Sequence, residues 1–153
     1  VPVDPSDTTW IIVATGLVMM MTPSLGFFEA GLLRSKNSLS VIMQTFTGLG
    51  ILSALWFILG FSLVYGTTQS GVIGGTDFIF FNNVPLEEAL AYAPTILGVT
   101  FATYVMMLAV VTPLLITGAV AERMKWTAFL VFVIAWSIFI YYPLAHWVWG
   151  SAT

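Results

Sequence analysis

From Leu39 to Tyr65 the chain carries no charged side chain, two other stretches share that condition and a third comes close. Trp10 to Leu33 contains Glu29 as its one acidic or basic residue. At a rise of about 1.5 Å per residue, a helix over this run is about 36 Å long, enough to cross hydrocarbon with some tilt. Residues 95–120 and 126–149 supply two more such runs. Hydrophobic residues make up 59% of the chain and charged residues 7%, too few to coat a water-facing surface. The fold class expected is therefore an all-α membrane protein with four transmembrane helices, and its solvent is a bilayer.

The runs are separated by polar breaks. Arg34-Ser35-Lys36-Asn37-Ser38 divides the first from the second, and Ala121-Glu122-Arg123-Met124-Lys125 the third from the fourth. Between the second and third lies the one long polar stretch, 67–94, in which Pro85 to Tyr92 is expected to form a short helical turn. All four basic residues, Arg34, Lys36, Arg123 and Lys125, fall in the first and third connections. By the positive-inside rule both chain ends and the 67–94 loop are then external. Trp10, Tyr65, Tyr92, Trp126, Trp147 and Trp149 sit near the expected interfaces, as an aromatic belt requires.

Glycines at 16, 26, 31, 48, 50, 60, 98 and 118 fall inside the runs and predict close helix packing. Pro23, Pro113 and Pro143 should kink their helices, each freeing a backbone carbonyl. Seven acidic and four basic residues, with no basic stripe, exclude a nucleic-acid partner. Without cysteine there is no disulfide or thiolate site. The single histidine, His146, cannot make a metal site, and no cofactor is implied. No nucleophile–base arrangement or phosphate loop is present, so an enzyme is not expected. A start at Val1-Pro2-Val3-Asp4 points to a processed or incompletely recorded N-terminus.

Four ordered motifs give the chain a family resemblance. They are Met21-Thr22-Pro23-Ser24-Leu25-Gly26-Phe27-Phe28-Glu29-Ala30-Gly31-Leu32-Leu33-Arg34-Ser35-Lys36-Asn37; the set Gln44, Trp56, Gly60, Ser62, Leu63 and Gly66; Thr112-Pro113-Leu114-Leu115-Ile116-Thr117-Gly118-Ala119-Val120-Ala121-Glu122-Arg123; and Tyr141-Tyr142-Pro143-Leu144-Ala145-His146-Trp147-Val148-Trp149-Gly150. Together they resemble the ammonium transporter family (Amt/MEP/Rh). The resemblance implies about eleven spans in two inverted five-helix halves, and a pore through each subunit of a trimer. Residues 1–153 then correspond to a partial transmembrane domain, the incomplete first half of that repeat. The family's paired pore histidines, and the aspartate that follows its Trp-Gly motif, have no counterpart in this stretch.

The same resemblance nominates site residues. Trp149 matches the tryptophan of the family's external ammonium vestibule, where an aromatic face holds a cation by quadrupole attraction; an interface-belt tryptophan is the plainer alternative. Tyr104 keeps an aromatic at the neighbouring vestibule position. Leu108 stands where the family has a gate phenylalanine, and Val105 where it commonly has glutamine; simple helix packing is the alternative for Leu108. His146 matches a family histidine outside the pore pair and reads as structural. Glu29 is expected to pair with Arg34 or Lys36, or to bond backbone at the helix end, because a lone carboxylate in hydrocarbon costs several kcal/mol. Glu122 and Arg123 read as a loop anchor. The leading function is ammonium/ammonia transport in the bilayer, as a homotrimer or with other membrane subunits. A non-transporting structural subunit or an ammonium-sensing domain is the rival.

Overall fold

A computed structural model describes residues 2–150. Among the described residues four helical spans, Pro5–Leu32, Ser35–Tyr65, Gly98–Val120 and Trp126–Gly150, are long and apolar enough to cross a membrane. The first is a single helix, α1 (Pro5–Leu32). It begins five residues earlier than the apolar run because its start is capped. The Asp4 carboxylate accepts the Ser6 and Asp7 backbone N–H groups at 2.7 and 3.4 Å, and Pro5 opens the first turn. The Asp4 N–H in turn donates to the Thr95 carbonyl at 2.8 Å, tying the start of α1 to the residues before span three.

The second span comprises α2 (Ser35–Leu55), a π-helical turn at Trp56–Gly60 and α3 (Phe61–Tyr65). The third comprises α4 (Gly98–Leu114) and α5 (Thr117–Val120). Pro113 does more than kink this span: the helix is interrupted at Leu115 and Ile116 before it resumes. The fourth comprises α6 (Trp126–Trp136), a π-turn at Ser137–Tyr141, α7 (Tyr142–Ala145) and a second π-turn at His146–Gly150. Pro143 has no N–H to offer the carbonyl four residues back. The π-turn preceding it adapts, with the Tyr142 N–H reaching the Ser137 carbonyl five residues away.

The stretch between spans two and three forms two small hairpins. Strands β1 (Thr68–Gln69) and β2 (Ile73–Gly74) pair antiparallel, Thr68 opposite Gly74 and Gln69 opposite Ile73. Strands β3 (Ala89–Leu90) and β4 (Ala93–Leu97) pair with an irregular register. This corrects two expectations. Pro85 to Tyr92 is not a helical turn but leads into β3 and the β3–β4 turn, and residues 95–97 are strand rather than the start of span three. Pairing with Ala89–Leu90 holds residues 93–97 extended, and the Gly98 N–H donates to the Glu88 carbonyl at 2.9 Å, so the helix starts at Gly98.

The core lies among spans two, three and four, centred on Trp56, Phe61, Ala102, Val110, Leu114, Phe129, Val133 and Tyr142. The Trp56 indole N–H donates to the Ala102 carbonyl at 3.2 Å and packs edge-on against Phe61 and Tyr142. Some of the glycines allow the expected close approach: a Cβ on Gly48 would lie 2.4 Å from Leu114, and one on Gly60 2.7 Å from the Tyr142 hydroxyl. Gly16, Gly31 and Gly50 do not, because each faces open space. Helix α1 leaves Trp10, Leu17, Met20, Phe28 and Leu32 exposed, a face suited to lipid.

Candidate functional site

On α4, Phe101, Tyr104, Val105 and Leu108 recur at the three- and four-residue spacing that puts them on one helix face. At the hairpin end of the molecule this face meets Tyr65 from the end of span two, Tyr92 from the β3–β4 turn and Trp149 from the last π-turn. Together they enclose a cavity of about 370 Å³. Its lining contains no charged side chain. Tyr92 Oη donates to the Tyr65 carbonyl at 2.9 Å, and the Tyr65 ring stands edge-on to Tyr92 and Phe101 at centroid distances of 5.0 and 5.2 Å. The quadrupole of such rings presents negative faces, so the chemistry available here is attraction for a small cation.

Two smaller cavities continue along the seam between spans three and four. One, about 210 Å³, is lined by Trp149, Val148, Leu144, Tyr141, Trp136 and Thr112 among others; the next, about 250 Å³, shares Thr112 and Trp136 and ends among Pro113, Leu115, Ile116 and Phe132. The seam runs from the aromatic cavity towards the opposite, basic end of the bundle, and its side chains are mostly apolar.

Three residues singled out in the sequence, Trp149, Tyr104 and Leu108, thus face one cavity, with Val105 beside them. Trp149 is 46% exposed. Three further lining residues were not nominated. Phe101 stands three residues before Tyr104, so helical spacing alone could have found it. Tyr65 and Tyr92 read as belt aromatics in the sequence; they are brought in by the fold of the 67–94 stretch, and Tyr65 is buried rather than facing an interface.

The remaining candidates lie elsewhere. His146 is 2% exposed, with Nδ1 2.7 Å from the Val64 carbonyl and Nε2 3.1 Å from the Thr68 hydroxyl. Glu29 is buried against the break in span three, where its carboxylate accepts a hydrogen bond from the Thr117 hydroxyl and lies close to Gly118. The partner is thus a hydroxyl on another span in place of the expected Arg34, Lys36 or helix-end backbone. Glu122 adopts a left-handed backbone conformation, φ 65°, and its carboxylate accepts from the Asn37 amide at 2.7 Å, linking the two basic connections. Arg34 precedes α2 and offers its carbonyl to the Asn37 N–H at 2.8 Å, while the Arg123 N–H donates to the Val120 carbonyl at 3.1 Å. At the hairpin end, the Thr67 hydroxyl and backbone N–H both donate to Asp77 Oδ2 at 2.7 Å and hold its carboxyl below the ordinary value of 3.8.

Four helices among the described residues are long and apolar enough to cross a membrane, and three of them line an uncharged aromatic cavity, which makes this a multi-pass membrane protein. It belongs to the ammonium transporter family, whose profile matches residues 9–153. Over 148 residues it is 48% identical to ammonium transporter 1 of Dictyostelium discoideum, a match covering 97% of this chain and 32% of that protein. Its structure is similar to the crystal structure of Candida albicans Mep2, with a TM-score of 0.86 and 30% identity over 98% of this chain and 32% of that one. The Saccharomyces cerevisiae Mep2 structure matches with the same TM-score, 0.86, and 32% identity, covering 98% of this chain and 33% of that one. The chain therefore spans about a third of the length of the relatives it matches.

Proposed function

We propose that this stretch forms the outer vestibule and part of the conduction path of an ammonium transporter. The observation that carries the reading is the convergence of Trp149, Tyr104 and Leu108 on one aromatic cavity, which the seam between spans three and four continues. Ammonium is attracted to the aromatic faces, gives up its proton to a group outside this stretch, and passes Leu108 largely as ammonia. Desolvation supplies the reason: a small neutral molecule escapes most of the penalty that an ion meets in an apolar passage. Leucine keeps the constriction dry but offers no ring face there. The function is transfer across a membrane, with no covalent catalysis.

The hairpin end is external in this reading. Arg34, Lys36, Arg123 and Lys125 all lie at the opposite, cytoplasmic end, and both ends of the stretch are outside. The protein works as a homotrimer or alongside other membrane subunits. Its similarity to proteins named as ammonium transporters favours transport over a structural subunit or a sensing domain.

The test is uptake of radiolabelled methylammonium by proteoliposomes containing the intact protein. A cation over an aromatic face gains about 0.5–2 kcal/mol, and a half-exposed indole belongs near the middle of that range. About 1 kcal/mol corresponds to about a fivefold rise in KM for Trp149→Ala. An unchanged KM would sink the vestibule reading.

A further inference from the structure

We propose that His146 is a positioning residue for transport: its imidazole clips the last turn of span four to span two and the first hairpin, and thereby sets the angle of Trp149 in the cavity. The inference rests on the vestibule reading and adds to it a residue that never touches the substrate.

The bonding pattern defines the imidazole. A backbone carbonyl only accepts, so at 2.7 Å from the Val64 oxygen, Nδ1 must carry the hydrogen. In the neutral ring Nε2 is then the acceptor, and the Thr68 hydroxyl 3.1 Å away is its donor. One side chain thus joins span four to span two through Val64 and to strand β1 through Thr68. The next residue adds a second tie: the Trp147 indole N–H donates to the Val72 carbonyl, across the same hairpin, at 2.7 Å.

The hairpin is itself anchored. Ser62 Oγ donates to the Gly75 carbonyl at 2.7 Å and accepts the Phe78 N–H at 3.0 Å, while Asp77 holds Thr67. On the far side of Trp149, Gly150 is pressed so closely that a Cβ there would lie 2.3 Å from His146 Nδ1 and 2.4 Å from the Val64 oxygen. Trp149 is therefore bracketed by residues whose places are fixed by contacts outside its own turn.

That bracketing matters because His146–Gly150 is a π-turn. A π-turn holds one more residue than an α-turn and so turns the following side chains to a different angle. Here it directs His146 inward to 2% exposure and leaves Trp149, three residues on, at 46% in the cavity wall. When the clip is lost, the turn loses both hydrogen bonds of His146, to Val64 and to Thr68. Relaxation to an ordinary α-turn would swing the indole away from the cation.

The experiment measures methylammonium uptake by the intact protein in proteoliposomes, normalised to the amount reconstituted. His146→Phe keeps a ring but removes both bonds. It should raise KM about as much as Trp149→Ala, about fivefold, with Vmax nearly unchanged. The double variant should be no worse than Trp149→Ala alone, since both remove the same aromatic contact. His146→Asn, whose amide N–H can replace Nδ1–H towards Val64, should restore KM most of the way. Should His146→Phe fail to fold, Thr68→Val removes only the hairpin bond and should raise KM in the same direction. An unchanged KM in these variants while Trp149→Ala raises it would overturn the positioning role and leave the vestibule reading standing. A fall in Vmax and protein yield at constant KM would reduce His146 to a structural residue. If Trp149→Ala itself leaves KM unchanged, the vestibule reading falls, and the positioning role with it.

Discussion

Gly60 and Gly50 lie on the same span, yet adding one methyl group to each should have opposite consequences. Gly60 closes the first π-turn, where a Cβ would stand 2.7 and 2.8 Å from the hydroxyl and ring of Tyr142 and 2.9 Å from Trp56. Neither neighbour has space to withdraw, because Trp56 and Tyr142 are each 1% exposed and stack edge-on at 5.9 Å. Overpacking of this kind costs about 1–3 kcal/mol. At Gly50 nothing lies within 4 Å of the added carbon. Replacing glycine by alanine within a helix gains about 1 kcal/mol at either position, so that gain largely cancels in the comparison. Gly60→Ala should therefore be less stable than Gly50→Ala by about 1–3 kcal/mol, a factor of about 5–150 in the unfolding equilibrium. Titration of the purified protein from mild detergent into dodecyl sulfate, followed by tryptophan fluorescence, measures the difference. Equal midpoints for the two variants would refute the claim that the Trp56–Tyr142 contact is closed to further volume.

Two further outcomes address the site and its support. Leu108→Phe adds a ring to the cavity wall and should change the methylammonium uptake rate severalfold, because α4 turns this position into the cavity; an unchanged rate would place Leu108 outside the path. Asp77 carries a depressed carboxyl, held down first by the Thr67 hydroxyl and then by the Thr67 N–H. Its contribution to hairpin stability is therefore present above the ordinary carboxylate value and is lost as pH falls through the lower folded value. Amide exchange at Thr67 should accelerate on acidification relative to a reference amide, and Asp77→Asn should flatten that profile; an identical acid limb in the variant would exclude Asp77 as its source.

Much of the fold was legible because the bilayer punishes unsatisfied backbone and charge so heavily that three uncharged runs, and a fourth with Glu29 as its one charge, can only be spanning helices. Their approximate limits, the polar breaks between them and the confinement of basic residues to two connections follow from composition along the chain. The helix face bearing Phe101, Tyr104, Val105 and Leu108 was equally present as spacing. Trp149 could be nominated as well, by resemblance, without knowing what it would face.

Other features depended on contacts between residues far apart in the chain. Pro85 to Tyr92 looked like a turn of helix, but pairing with residues 93–97 made the end of that stretch a hairpin, and the hairpin carried Tyr92 into the cavity. The π-turns of spans two and four have no periodic signature in the sequence. The sequence offers Glu29 a nearby basic residue or the backbone at its helix end, and tertiary packing gives it Thr117, on a different span. The sequence by itself determined the solvent, the number of spans and the chemistry available on each face, because these depend on the transfer energies of side chains and backbone. Only the tertiary structure decided which faces meet, how Trp149 is turned and why His146 is buried, because those outcomes rest on hydrogen bonds and close contacts between distant segments.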